Sequence, residues 1–220
     1  MLTAMLKAIG DLTSPEFRAV LWKALGLTLA LFIAVLIVVE ILLLTLTQFS
    51  WAWADWLLGL GTGLLLVVGF FFLMAPVTAM FAGLFLDDVA GRVEVRHYPQ
   101  DRPGTPLTPL RAFVTGLQFA VVVLLVNLAL LPMVFVGIGA FVLVAANAYL
   151  LSREYFEMIA ARHVSVAEAR LRRKANAPRL FIAGIVPALL ALVPIVNLVV
   201  PLFATAYFVH IFKQVPASSA

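Results

Sequence analysis

Two long apolar runs occupy the first half of the chain. Ser14 and Pro15 form a helix start, with serine as the N-cap and proline at the first helical position. The apolar runs that follow cover 15–48 and 56–90, and each exceeds the roughly 20 residues that a helix needs to cross a bilayer. This pattern predicts two long transmembrane helices.

Two further apolar stretches, 112–151 and 180–212, are broken near their middles. Pro132 interrupts the first, and Pro194, Asn197 and Pro201 interrupt the second. Proline removes a backbone donor and clashes with the preceding helical turn. Broken backbone at membrane depth is tolerated where protein or a water-lined cavity satisfies its polar groups. We therefore predict two pairs of half-penetrating helices, each entering the membrane and returning, the first turning at Pro132.

The polar segments complete the predicted organisation. Residues 1–13 form an amphipathic helix on the membrane surface, and Asp87–Arg111 forms a polar loop. The basic segment 152–179 contains Ser165 and Glu168 in a capping-box pattern that opens a short helix. The predicted fold is a single all-α integral membrane domain over 1–220.

Lysine and arginine counting predicts the orientation. The connection between the two long apolar runs carries tryptophans and no lysine or arginine, so it is predicted to lie at the membrane interface opposite the start of the first run. All basic residues fall on one side when both hairpins return to it, which predicts cytoplasmic N- and C-termini. They lie in the N-terminal segment, both polar segments and the tail, as Lys7, Arg18, Lys23, Arg92, Arg96, Arg102, Arg111, Arg153, Arg162, Arg170, Arg172, Arg173, Lys174, Arg179 and Lys213.

Composition excludes several classes of protein. Hydrophobic residues make up 64% of the chain and charged residues 12%, which is more apolar surface than a soluble domain of this size can bury. The net charge is +4, and the basic residues lie beside membrane segments, so we expect no nucleic-acid partner. The chain has no cysteine, and no HxxxH, HExxH, GxSxG or P-loop pattern occurs. We expect no enzyme activity, no cofactor and no metal site, and no removable signal peptide is apparent.

Ionisable and polar groups within the apolar runs are candidate functional residues. Glu40 lies inside the first predicted span, where it could take a proton, bind a cation or pair across a protomer interface, or instead snorkel toward headgroups. Asn127 and Asn197 lie at hairpin depth. They could solvate an ion, or hold helices together by interhelical hydrogen bonds.

Four cations flank the apolar segments on the basic side. Arg18, Lys23, Arg153 and Arg179 could be topology determinants and anchors for lipid phosphates, or they could line a vestibule for an anion. Helices that start after a proline in the hairpins would aim their positive ends into the membrane, which favours an anion there.

Several motifs, covering about residues 10–212, resemble the CysZ-type sulfate permeases and the wider etoposide-induced-protein superfamily. The most specific is the Pro-x-x-Asn-Leu hairpin. The similar stretches are Ala75-Pro76, Phe85–Val89, Ser152–Tyr155, Glu168–Arg173, Phe181–Gly184 and Val193–Leu198 leading to Pro201. Arg18 is the residue that matches the family's Gly-Leu-Arg-Arg-like element, which is linked to sulfate binding, while Glu16 and Ala19 replace the glycine and the second arginine.

The resemblance implies a bacterial inner-membrane permease or channel for sulfate or another small anion, a multi-pass topology and homo-oligomeric assembly in contact with membrane lipids. Arg18 and Lys23 with Arg153 and Arg179 would attract the anion, and Asn127 and Asn197 would solvate it. The alternative is a non-transporting membrane scaffold whose basic helix at 168–174 binds a partner or anionic lipid.

Overall fold

The computed structural model describes residues 1–46, 59–64, 85–106, 108–134 and 138–215. All regular structure in these ranges is helical, with a short helical stretch also at 59–64. The helices are α1 Leu2–Leu12, α2 Pro15–Leu46, α3 Leu86–His97, α4 Pro109–Val134, α5 Gly139–Ala160, α6 Val166–Ala175, α7 Ala177–Leu190, α8 Pro194–Asn197 and α9 Val200–Gln214.

Helix α2 begins where the sequence predicted. The Ser14 Oγ accepts the backbone N–H of Phe17 at 3.5 Å, and Pro15 is the first helical residue. Phe17–Leu42 is long and apolar enough to cross a membrane, and only 6% of its most apolar part is buried. That surface is available to lipid or to other helices. The predicted second long helix (56–90) and its tryptophan-rich approach lie mostly outside the described residues.

The first apolar pair folds back as the antiparallel hairpin α4–α5. Asn127 of α4 hydrogen-bonds Asn147 of α5, and the rings of Phe119 and Tyr155 lie 6.4 Å apart. The predicted turn at Pro132 is wrong, because α4 continues to Val134 before the chain turns. Pro132 lies in the last turn of α4, where its missing N–H removes a single helical bond.

The second apolar pair breaks where the sequence predicted. Helix α7 ends at Leu190, the four-residue α8 spans Pro194–Asn197, and α9 begins at Val200. The Arg179 guanidinium near the start of α7 donates to the backbone carbonyl of Gln214 at the end of α9, 3.3 Å away. Both ends of this hairpin therefore lie side by side.

Helix α3 occupies much of the segment that was predicted to be a polar loop. Its buried apolar side chains are Leu86, Val89, Ala90 and Val93, an i, i+3, i+4, i+7 stripe that packs α3 onto α9. The loop prediction was wrong because the charged residues between these positions make the segment polar on average. The apolar stripe was therefore missed.

Helix α9 forms the centre of the core. Its residues from Val200 to Phe212 are all buried, and α1, α3, α5 and α7 pack around it. The small residues Ala4 and Ala8 let α1 approach α9, and Gly184 lets α7 approach the backbone of α5. We call α1, α3, the loop 98–106, the turn 161–165, α6 and the end of α9 the polar layer.

Helix α6 begins as the capping box predicted. Ser165 is the N-cap, and its Oγ accepts the backbone N–H of Glu168 at 3.2 Å. Three arginines of α6 are paired with carboxylates of the chain: Arg172 with Glu168, Arg173 with Glu157 at 2.6 Å, and Arg170 with Glu157 at 4.0 Å. Arg170 remains 64% exposed.

Candidate functional site

A buried ion network, the Glu94 cluster, lies in the polar layer. It consists of Glu94 and Asp87 from α3, Arg162 and His163 from the turn after α5, and the backbone of Gly104. The Arg162 Nη2 donates to Glu94 Oε2 at 3.3 Å and its Nη1 donates to the Asp87 carboxylate. His163 Nε2 lies 2.9 Å from Glu94 Oε1. The network joins three separate segments of the chain.

Glu94 is ionised well below its usual pH range. Burial raises the pKa of its carboxyl, but the hydrogen bonds from His163 and Arg162 outweigh burial and lower the pKa to about 2. The backbone N–H of Gly104 also donates to Glu94 Oε2, at 3.1 Å. A side chain at position 104 would collide with Arg162, so glycine is needed where the loop covers the network.

A second buried group, the Asp11 cluster, contains Asp11 of α1, His97 of α3, His210 of α9 and Tyr98. His97 Nε2 lies 2.9 Å from Asp11 Oδ1 and 3.1 Å from Oδ2. The Tyr98 hydroxyl is 2.8 Å from Nδ1 of His210. Asp11 and His210 are 1% and 0% exposed.

Charge and hydrogen bonding hold Asp11 in its ionised form. Burial opposes ionisation, but the neighbouring rings of His210 and His97 outweigh it and keep the pKa of Asp11 below its usual value. Arg96, whose side chain is 57% exposed, places Nη1 3.3 Å from Asp11 Oδ1. The cluster is therefore a buried anion surrounded by imidazoles.

Both clusters border an open cleft of about 950 Å³ between the α1–α2 connection, α3 and the loop 103–106. Asp11, Glu94 and Arg162 are among its lining residues. Within the described part of the chain, four carboxylates and three arginines line the cleft, as Asp11, Asp87, Asp88, Glu94, Arg92, Arg96 and Arg162. This mixed charge does not form a cationic vestibule.

The cations predicted to attract an anion lie on separate helices. Arg18 and Lys23 are exposed on the first turns of α2, and Arg153 is exposed on α5. Arg179 pairs with Gln214 at the base of the second hairpin. Glu40 is exposed on the apolar part of α2. Across the described ranges, no hydrogen bond or ion pair joins any two of these residues.

The two predicted asparagines have different surroundings. Asn127 and Asn147 exchange side-chain hydrogen bonds of 3.2 and 2.8 Å across the first hairpin, and each also donates to a carbonyl one turn earlier on its own helix. This is the interhelical bonding that was the alternative to ion solvation. Asn197 is half-buried at the end of α8, in the break of the second hairpin.

Asn127→Leu is expected to destabilise the first hairpin by about 1 kcal/mol, because it removes both hydrogen bonds to Asn147 and leaves the Asn147 side-chain oxygen without its donor. Thermal unfolding in detergent measures this. The double variant Asn127→Leu/Asn147→Leu should recover most of the lost stability. If the pair only holds the helices, the double variant also keeps its transport activity; loss of transport in a stable double variant would instead assign the amides to the pathway.

Sequence reasoning missed both clusters. Asp11 and His97 are 86 residues apart and Glu94 and His163 are 69 apart, so no motif spacing connects them. The sequence feature that could have revealed them is the pattern of residues around a helix over 86–97. The buried stripe of α3 places Glu94 and His97 on its inner side, where charged groups need partners.

The described residues thus form an all-helical architecture with one long exposed apolar helix, two apolar hairpins and a polar layer at their bases. The sequence matches the family model described as sulfate transporter CysZ/etoposide-induced protein 2.4 over residues 4–201, and the chain belongs to that family. The match confirms the resemblance seen in the sequence. The family is one of membrane transporters, and its name specifies an anion substrate. A search of curated proteins found no match.

Proposed function

We propose that this protein is a bacterial inner-membrane permease or channel that passes sulfate or another small anion. Family membership over residues 4–201 is the observation that carries the proposal. The described structure offers no nucleotide-binding loop for driving transport, so movement is passive or coupled to another ion.

The helix lengths support a partly inserted second hairpin. Helices α7 and α9 contain 14 and 15 residues, which is about 21 and 22 Å and shorter than a hydrocarbon core of about 30 Å. Their break at 191–199 would then lie within the membrane, with Asn197 beside it. Both termini and the polar layer are proposed to face the cytoplasm.

The first hairpin is proposed to insert in the same manner through its α5 arm, although α4, with 26 residues and a length of about 39 Å, exceeds the hydrocarbon core. Arg153, Glu154 and Glu157 end the apolar part of α5, so the part from Gly139 to Leu151 is about 20 Å long. The Asn127–Asn147 pair keeps the two arms together at that depth. The exposed span of α2 is proposed to contact lipid and a second copy of the chain, which gives a homo-oligomer.

Arg18 would concentrate the anion at the membrane entrance. It is exposed in the first turns of α2. Lys23, Arg153 and Arg179 would extend the positive surface, and Asn197 would replace part of the water shell of the anion. Neutral amides can do this without binding the anion too tightly to release it.

Radiolabelled sulfate flux into proteoliposomes tests the proposal. The wild-type protein should exceed empty vesicles, and Arg18→Ala should reduce the flux about tenfold by removing local positive charge. Arg170→Ala is the matched control, because it removes an exposed arginine from a different helix, α6. Flux equal to that of empty vesicles, or equal loss in both variants, would reject the assigned entrance.

The scaffold alternative has weaker support. Two of the basic side chains on α6, Arg172 and Arg173, are paired with carboxylates of the same chain rather than left for a partner. Charge reversal of α6 that abolished function without altering anion flux would favour the scaffold.

A further inference from the structure

The Asp11 cluster has the composition of a transition-metal site. Asp11, His97 and His210 each offer one ligand atom, and these three atoms lie within 4.8 Å of one another. The three residues come from α1, α3 and α9, so they are fixed by the packing of three helices. We propose that they bind Zn²⁺, an activity beyond the proposed anion transport.

The ligand geometry is close to that of a bound zinc ion. Tetrahedral zinc with bonds of 2.0–2.1 Å places its ligand atoms about 3.3 Å apart. Asp11 Oδ2 is the oxygen near both rings: His97 Nε2 lies 3.1 Å from it and His210 Nε2 lies 3.6 Å from it. Movements of a few tenths of an ångström would bring these two pairs to the separation that zinc requires, and the two imidazole nitrogens, which lie within 4.8 Å of each other, would close around the ion.

The Nε2 atom of His210 supplies an independent indication of a ligand. It is completely buried and has no hydrogen-bond partner in the described part of the chain. Such an atom is costly unless something binds it. It lies beside the Asp11 carboxylate, so a cation between the two would satisfy both groups.

The surroundings of His210 orient its ring for metal binding. When Nδ1 donates to the Tyr98 hydroxyl oxygen 2.8 Å away, the Nε2 lone pair faces Asp11. A metal-bound histidine commonly uses its other ring nitrogen in this way. The alternative tautomer places a proton on Nε2 and would leave the site without a metal ligand at that atom.

The choice of metal follows from the ligands. Two imidazoles and one carboxylate suit zinc, whereas magnesium and calcium prefer oxygen ligands. We place the entry of the ion at the cleft, which Asp11 borders, and a water molecule in the fourth position. Arg96 competes for Asp11, but its side chain is 57% exposed and can turn into solvent.

Metal binding to the full-length protein in detergent tests the proposal. Zn²⁺ binding is measured by calorimetry, and Co²⁺ binding is measured by the visible absorption of the bound ion. We expect one ion per chain and a four-coordinate Co²⁺ spectrum. His97→Gln and His210→Gln should each weaken binding more than 100-fold, beyond the 10- to 100-fold typical of losing an outer hydrogen-bond partner. Tyr98→Phe should weaken it about tenfold.

His163→Gln is the matched control, because the chain has three histidines and His163 also pairs with a buried carboxylate. It should bind Zn²⁺ as the wild type does. Equal binding by wild type, His97→Gln and His210→Gln, or equal loss in His163→Gln, would overturn the site. Absence of binding by the folded wild type would also overturn it and assign a proton to Nε2. Because His97 is partly exposed, its variant is expected to fold even if His210→Gln does not.

Discussion

Gly184→Ala is expected to destabilise the fold by about 3 kcal/mol, the upper end of the range typical of overpacking. A Cβ at position 184 would lie inside van der Waals distance of the Ala148 carbonyl oxygen and 2.8 Å from Cβ of Ser152. Neither is the end of a flexible side chain, so α7 and α5 would have to separate. Size-exclusion profile and thermal midpoint in detergent measure the effect.

Gly26→Ala is the matched control for this prediction. Gly26 lies on the exposed face of α2, and a Cβ there has open space around it. Alanine is the better helix former by about 1 kcal/mol, so this variant should be as stable as the wild type or more so. A Gly184→Ala protein with the wild-type thermal midpoint would refute the close packing of α7 on α5.

Glu94→Gln is the second change with a large expected effect, a destabilisation of about 3–5 kcal/mol. It removes the carboxylate that pairs with Arg162, whose side chain is 2% exposed, and with His163. Most of the cost comes from the buried guanidinium, which loses one of its two carboxylate partners and keeps Asp87. Glu168→Gln is the control, because it breaks the pair with Arg172 on an exposed face and should cost about 0.5 kcal/mol or less.

The same carboxylate predicts how stability depends on pH. Its pKa is lowered from 4.5 to about 2 by folding, so its contribution is fully present above pH 4.5 and is lost as pH falls toward 2. The contribution is on the order of 3 kcal/mol. Thermal midpoints measured between pH 6 and pH 2 should fall more steeply for the wild type than for Glu94→Gln. Parallel curves would contradict the ionised, buried Glu94.

Elements whose signals are local were predictable from the sequence. The Ser14–Pro15 start of α2, the Ser165 cap of α6 and the break between Leu190 and Val200 each depend on residues within one or two helical turns. The turn was placed too early, at Pro132, because α4 continues through this proline to Val134 although proline disfavours the helix interior.

The buried charges could not be predicted, because their partners are distant in sequence. Arg162 was interpreted as one basic residue among many in a polar segment, yet it is 4% exposed and ion-paired with α3. His210 lies within the last apolar stretch of the sequence, yet its side chain meets α1 and α3. Only the packing of α9 against α1 and α3 brings these groups together.

The position of α9 has a consequence for how the chain is made. The helix that contacts α1, α3, α5 and α7 is the last one described before residue 215, so it leaves the ribosome after all of them. Until then the alanine face of α1 and the ionisable groups of α3 lack their final neighbour. Closure of the polar layer is therefore a late step of folding that joins segments distant in sequence.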